Sequence, residues 1–358
     1  MTHKLAARLS LARGPAWANR VALAPLTNMQ SHPDGTLSDD EFHWLVMRAK
    51  GGFALTMTCA AHVQRNGQGF PGQLGIWSDD HVPGLARLAA AIRAAGSVSS
   101  VQLQHSGRRA DPKLTGETPV CPWEDGETGA RAMSDQEIDA MIEAFIAAAE
   151  RADRAGFDGV ELHGAHGYLL GQLMDSDNNH RAHWGGDFDG RTRALFTIID
   201  GIRARTRPDF QLGVRISPER FGIRLADSRE LARRLLADGR VDYLDLSLWD
   251  VFKEPAEEEY AGTRLIDHFT DLPRHGTRLG VAGKLTEAGR CIEALEAGAD
   301  FVLVGRGAIL HHDFAARAIA DPHFHAMTPP VSRTHLKAEG LGPAFIDYMA
   351  TWKGFLSD

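Results

Sequence analysis

Short apolar runs alternate with longer amphipathic stretches along most of the chain. The short runs are Arg20–Pro25, Phe53–Cys59, Ser100–His105, Gly159–Gly164, Gln211–Ser217, Tyr243–Leu248, Arg278–Gly283 and Phe301–Arg306. Several are apolar on both faces, as strands covered on both sides of a parallel sheet should be. Between them, apolar positions recur at helical spacing. Val82–Ala95 places Leu85, Leu88, Ala89 and Ile92 on one stripe and stops at Gly96, a residue suited to a helix C-terminus. Ser134-Asp135-Gln136-Glu137 has the form of a capping box at the start of an amphipathic run that reaches Gly156. Ala226–Gly239 and Thr286–Gly298 repeat the scheme, each closed by a glycine.

Eight strand–helix units in a chain of 358 residues favour a closed (β/α)8 TIM barrel over an open doubly wound sheet. The chemically active residues support that choice. His105, His163, Arg215 and the pair Gly305-Arg306 fall at or just past the C-terminal ends of predicted strands. In a barrel those ends converge on one mouth; in an open sheet they would be strung along a line. No low-complexity linker interrupts the chain, so residues 1–358 are expected to form a single domain. Residues 106–133 are too long for a plain strand-to-helix loop and predict an excursion over the mouth, a lid, after strand three. Residues 321–358 form a C-terminal tail. Its Trp352 and Phe355 are open to three placements: capping the barrel, reaching a neighbouring subunit, or packing on the outer helices.

Composition removes several function classes. The formal net charge of -8 opposes a broad nucleic-acid surface, which needs an excess of Lys and Arg. No stretch is apolar for long enough to cross a bilayer, and Met1 to Pro15 lacks the apolar core of a signal peptide, so a cytoplasmic protein is expected. Cys59, Cys121 and Cys291 are scattered without CxxC spacing, which excludes a disulfide framework, a structural zinc site and an iron–sulfur cluster and predicts free thiols.

The most informative segment is His163-Gly164-Ala165-His166-Gly167-Tyr168, directly after the strand Val160-Glu161-Leu162. Two adjacent imidazoles can donate hydrogen bonds to one oxygen and stabilise the charge that develops there. Tyr168, with an ordinary pKa of ~10, stays protonated at neutral pH and is a candidate proton donor. The HExxH zinc pattern does not fit, since no glutamate lies between the histidines and glycines interrupt any helix; no metal is expected. Arg215 sits inside a strand, and a buried arginine needs a counter-charge from a ligand or a protein carboxylate. Gly283 and Gly305-Arg306 close strands seven and eight, where barrels frequently bind phosphate. Glycine lets main-chain N–H groups approach closely, and arginine adds a fork of donors.

These segments stand in order with others: Asn19 to Thr27, Gln102 to Arg108, His163 to Tyr168, Asn179-His180-Arg181 ahead of Gly185-Gly186, Val214 to Ser217, and Val304 to Arg306. From about Asn19 to about Ala320 the chain resembles the old yellow enzyme family of FMN-dependent NADH:flavin oxidoreductases and ene-reductases. The resemblance implies a (β/α)8 barrel holding FMN, with NADPH or NADH as electron donor and a small-molecule acceptor carrying an activated C=C bond. It implies that Ala24, Pro25, Leu26 and Thr27 lie beside the isoalloxazine ring, with the Thr27 hydroxyl near flavin O4. It places Gln102 on the pyrimidine edge of the flavin and Arg215 against the N1–C2=O2 edge, which becomes anionic on reduction. Gly283, Gly305 and Arg306 would hold the phosphate. His163 and His166 would bind the substrate oxygen and Tyr168 would supply a proton, in ping-pong turnover. Assembly into a homo-oligomer is expected.

The chain departs from the family at three positions. Met29 stands where some members place a substrate-contacting tyrosine. Thr58 stands where a small Ala or Gly commonly faces the flavin, and Trp184 replaces a tyrosine before Gly185-Gly186. These put substrate preference in doubt more than cofactor binding. Two other functions compete. A barrel lyase or isomerase binding a phosphorylated substrate would need a strand-end lysine, for which Lys284 is the best placed. A non-catalytic flavin-binding protein would need none of His163, His166 and Tyr168.

Overall fold

The computed structural model describes residues 4–357; residues 1–3 and 358, at the edges of the expected domain and tail, lie outside the described residues. Eight parallel strands close into a barrel: β1 Val21–Leu23, β2 Leu55–His62, β3 Val98–Gln104, β4 Gly159–Gly164, β5 Gln211–Ile216, β6 Tyr243–Ser247, β7 Arg278–Ala282 and β8 Phe301–Val304. Each pairs with its sequence neighbour, and β1 closes the ring on β8. The (β/α)8 fold expected from periodicity is therefore the fold observed.

The helices start and stop where local chemistry dictates. Ser134 accepts from Glu137 N–H while the Glu137 carboxylate accepts from Ser134 N–H, so both halves of the capping box form ahead of helix Asp135–Arg154. Gly96, at φ +82°, follows helix Val82–Ala94 in the left-handed conformation that glycine adopts without steric cost. One apolar cluster fills the shell between strands and helices. A second fills the barrel axis, where Ala22, Leu55, Met57, Tyr243, Phe301 and Leu303 meet Trp17 from the N-terminal segment. Trp17 sets its edge against Tyr243 and Phe301, with ring centroids 5.6 and 4.8 Å away, and plugs the end opposite the mouth. Space for those two rings comes from glycine. A Cβ on Gly213 would fall inside the Tyr243 ring, and one on Gly280 inside the Phe301 ring.

Strand two differs from the sequence pattern. It was expected over Phe53–Cys59 but runs on to His62, with a shift of register against β3 between Met57 and Ala60. Leu55, Thr56, Met57, Thr58 and Cys59 alternate as a regular strand would, and the extra residue of a bulge beyond Met57 breaks that alternation, so the pattern gives no sign that the strand continues.

Two segments cover the mouth. The excursion of residues 106–133 contains a two-stranded pair, Val120–Cys121 with Arg131–Ala132. It is tied down by Arg181, whose Nε donates to Pro122 O at 2.7 Å, which gives the Asn179-His180-Arg181 loop its structural part. The tail, instead of lying only on outer helices, does two things. Phe345 packs on Trp44 of helix Asp39–Lys50, and Tyr348, Met349 and Trp352 turn onto the mouth. Gly213→Ala should lower stability by ~1–3 kcal/mol through overpacking against the buried Tyr243 ring, measured as a fall in the unfolding free energy; a neutral result would show that the ring can move aside.

Candidate active site

At the C-terminal ends of the strands lies a cavity of about 700 Å³, adjoining a second of about 270 Å³. Pro25, Leu26, His166, Arg215, Trp249 and Trp352 border both, so the two are compartments of one basin. The large compartment holds Gln102, His163, His166, Tyr168 and Arg215; the small one holds Gly283, Gly305 and Arg306. Residues distant in sequence thus share one concavity.

The histidines are arranged as a chain. Ala165 N–H donates to His163 Nδ1 at 3.4 Å, which leaves the proton of a neutral His163 on Nε2. That nitrogen lies 3.3 Å from His166 Nδ1, and His166 Nε2 lies 2.7 Å from Ser247 Oγ. Each Nε2–H is therefore engaged by a protein acceptor, and an incoming oxygen has to take one of these bonds over. Burial pushes the His163 pKa well below its ordinary value and that of His166 down to about 3, and the charge of Arg215 acts in the same direction. Both rings are neutral donors at physiological pH. Tyr168 stands edge-on to His163, with centroids 5.1 Å apart, and burial raises its pKa against the opposing effect of Arg109.

Beneath this chain sits a charge cluster that the sequence patterns did not single out. Arg215 Nε lies 2.8 Å from Asp245 Oδ2, so a protein carboxylate does supply the counter-charge for Arg215. The Nε–H is not aimed along that line and has no hydrogen-bond acceptor. Gln102 Nε2 donates to Glu161 Oε1 at 2.8 Å, so a protein partner holds this amide as well, while Glu161 Oε2 has none. Burial raises the pKa of both carboxyls. The charge of Asp245 raises Glu161 further, and Arg215 lowers both. One guanidinium cannot neutralise two buried carboxylates, so Glu161 holds its proton.

In the small compartment, Gly283 has φ +151°, and a Cβ there would strike the main chain of Trp249. A Cβ on Gly305 would stand 3.3 Å from the Leu26 side chain and 3.9 Å from that of Ala24, so a larger residue would crowd this end of the cavity. The side chain of Arg306 makes no ion pair or hydrogen bond among the described residues. Lys284 pairs with Asp250 at 3.1 Å and its side chain is 59% exposed, an environment unlike that of the desolvated lysine a Schiff-base lyase needs. Among the described residues no group of three His, Cys, Asp or Glu side chains is placed to hold a metal.

The other named residues divide. Thr27 borders the large compartment, and Pro25 and Leu26 border both. Thr58 does not: its hydroxyl donates to Cys59 O at 2.7 Å, and it lies on the face of β2 opposite Leu55 and Met57 of the barrel axis; past the bulge, Ala60 is the β2 residue that borders the cavity. Met29 does not border either compartment; it occupies a positive-φ turn at 56°. Trp184 is buried in the outer core. Residues absent from the sequence-based set are Glu161, Asp245 and Ser247, which alternate with apolar neighbours on the inward face of their strands, and Arg109, Phe221 and Trp249 on loops. His166, Arg220, Phe221, Trp249 and Lys284 all adopt φ between 49° and 69° at the mouth, conformations costly to side chains and typical of functional sites.

The residues fit FMN. The small compartment offers an unpaired guanidinium together with Gly283, and where the two compartments meet stands the buried Arg215 whose Nε–H lacks an acceptor. A flavin-binding barrel is the class of protein this geometry defines. The chain belongs to the NADH:flavin oxidoreductase / NADH oxidase family, whose model matches residues 16–321. It is 32% identical over 300 residues to the probable NADH-dependent flavin oxidoreductase YqiG of Bacillus subtilis, covering 80% of each chain. It is 34% identical to the NADH:fumarate oxidoreductase of Klebsiella pneumoniae over 87% of its own length but only 35% of that protein's. Morphinone reductase in complex with tetrahydroNAD superposes with a TM-score of 0.77 over 96% of each chain, at 25% identity. The protein is an NAD(P)H-dependent flavin oxidoreductase of the old yellow enzyme family, using FMN.

The unfolded chain releases the Glu161 proton above its ordinary range, while burial lets the folded chain keep it. Its contribution to stability then falls as pH rises above ~4.5, by up to ~1.4 kcal/mol per pH unit. Glu161→Gln should remove that decline and be the more stable form at pH 8 relative to pH 5 in denaturant unfolding; parallel curves for the two proteins would show that Glu161 is ionised.

Proposed function

We infer that this protein reduces activated C=C bonds, those of α,β-unsaturated carbonyl or nitro compounds, at the expense of reduced nicotinamide. The observation that supports this most directly is the placement of His163, His166 and Tyr168 on one wall of the cavity, above the buried Arg215. The chemistry that bound FMN would supply is hydride transfer, from NADPH or NADH to the electron-poor alkene carbon. Ala24, Pro25, Leu26, Thr27 and Ala60 would flank the FMN ring, Gln102 and Arg215 its pyrimidine edge, and Gly283, Gly305 and Arg306 its phosphate. The net reaction consumes one reduced nicotinamide and one proton per alkene.

His163 and His166, neutral and desolvated, would hold the substrate oxygen by taking one Nε2–H away from its present acceptor. A neutral donor stabilises the negative charge that grows on that oxygen without starting from an ion pair. Tyr168 would then deliver its proton to the carbon next to the carbonyl, on the face opposite the hydride. Nicotinamide and alkene would use the same cavity in turn, which makes the kinetics ping-pong. Arg215 would meet the increase of negative charge at the pyrimidine edge, with Asp245 holding its guanidinium in place.

The purified protein should show a flavin absorption band that bleaches anaerobically with reduced nicotinamide and returns on addition of cyclohexenone. Bleaching without return would leave a flavin oxidoreductase with a different acceptor. Tyr168→Phe should leave bleaching by nicotinamide intact and slow the return by about a hundredfold, within the usual range for a general acid; an unchanged return would remove Tyr168 from the mechanism.

A further inference from the structure

Three arginines border the large compartment, and their charges are not equally answered. Arg215 has Asp245, and Arg108 has Asp125 at 3.3 Å. Arg109 has no carboxylate within ion-pair distance among the described residues, although Glu127 borders the same cavity. The guanidinium of Arg109 is nevertheless held in place. Its Nη1 donates to the main-chain oxygen of His166, and its central carbon lies 4.7 Å from the centroid of the Tyr168 ring. Those contacts use one of its five N–H donors and one face of its plane. Arg109 is an exposed residue, but unlike a free surface arginine it is anchored at the cavity by the His166 main chain and the Tyr168 ring.

The unpaired Arg306, at the far end of the basin, is accounted for by the phosphate of FMN. That phosphate does not account for Arg109, which borders the large compartment with His163 and Tyr168 and does not border the small one. The geometry points to Arg109 as a carboxylate-recognising residue, and to substrates that are α,β-unsaturated ketones or aldehydes carrying a second, anionic carboxylate. This assignment rests on the alkene reduction inferred above. The ketone or aldehyde oxygen would go to His163 and His166, because a carboxylate alone activates the alkene poorly. The carboxylate at the other end of the molecule would take the fork of donors that Arg109 leaves open. The reaction stays balanced as before: hydride and proton add across the C=C bond and the carboxylate is unchanged.

The test uses the FMN-loaded protein and two non-reacting saturated ketones, 4-oxopentanoate and the neutral pentan-2-one, with affinity read by titration calorimetry. Wild type should bind the carboxylate at least tenfold more tightly, with the preference shrinking as salt is raised. In Arg109→Gln the ratio should fall to about one, and Arg109→Lys should recover part of it. A wild-type ratio near one, or a ratio that survives Arg109→Gln, overturns the assignment. So does a variant that loses affinity for reduced nicotinamide while keeping its carboxylate preference, since Arg109 would then serve the dinucleotide phosphates. Turnover separates this from the underlying reading: if cyclohexenone fails to reoxidise the flavin, alkene reduction itself is wrong. If cyclohexenone works and 4-oxopent-2-enoate shows no advantage in kcat/KM over pent-3-en-2-one, only the carboxylate assignment fails.

Discussion

A single guanidinium inside the barrel, facing two carboxyls, is the constraint around which the mouth is organised. Arg215 on β5 meets Asp245 on β6, and Glu161 on β4 is close enough for the charge of Asp245 to bear on it. Burying any of these alone would cost several kcal/mol. Together they are tolerable only if one carboxyl keeps its proton, and even then the Arg215 Nε–H is left without an acceptor. That residual imbalance is what a ligand's anionic edge can complete. The charge of Arg215 also depresses the pKa of His163 and His166, so the cluster that binds at one level keeps the donors at the next level neutral.

Much of the architecture was legible because the pattern that encodes it is repetitive. Eight apolar runs separated by helical stretches, several of them closed by a glycine, specify a barrel more strongly than any one of them specifies a strand. The capping box at Ser134 and the turn at Gly96 are local chemistry and needed no tertiary context. Strand two was misjudged at its end because a bulge after Met57 breaks the alternation of Leu55, Thr56, Met57, Thr58 and Cys59, so that Ala60 rather than Cys59 borders the cavity. Thr58 lies on the other face of the strand, as that alternation itself implies.

The site was legible in part. His163, His166, Tyr168 and Arg215 could be found because they interrupt apolar strands or lie just past their ends. Glu161, Asp245 and Ser247 share the same inward phase as Gln102 and Arg215, and reading that polar phase across neighbouring strands would have revealed them. Arg109, Phe221, Trp249 and Trp352 could not have been found that way. Their place at the mouth depends on loop and tail conformations, several at positive φ, that no short-range pattern specifies. Met29 failed for the same reason, since a left-handed turn carries its side chain away from the cavity.

Strain and coverage at the mouth bear on each other. A bulky residue held at positive φ persists only where its surroundings over-determine it. The excursion holds one of these positions directly, since Arg109 donates to the main-chain oxygen of His166, and Trp352 of the tail borders both compartments together with Trp249. The excursion after β3 and the C-terminal tail therefore act as the walls that keep the loop residues in place, besides excluding water from neutral imidazoles that need a dry site. A barrel trimmed of these two segments would retain its strands and its buried cluster, but the histidines would face solvent and their pKa values would return toward 6.5, the value burial now lowers. The chemistry at the rim thus depends on parts of the chain that contribute nothing to closing the barrel.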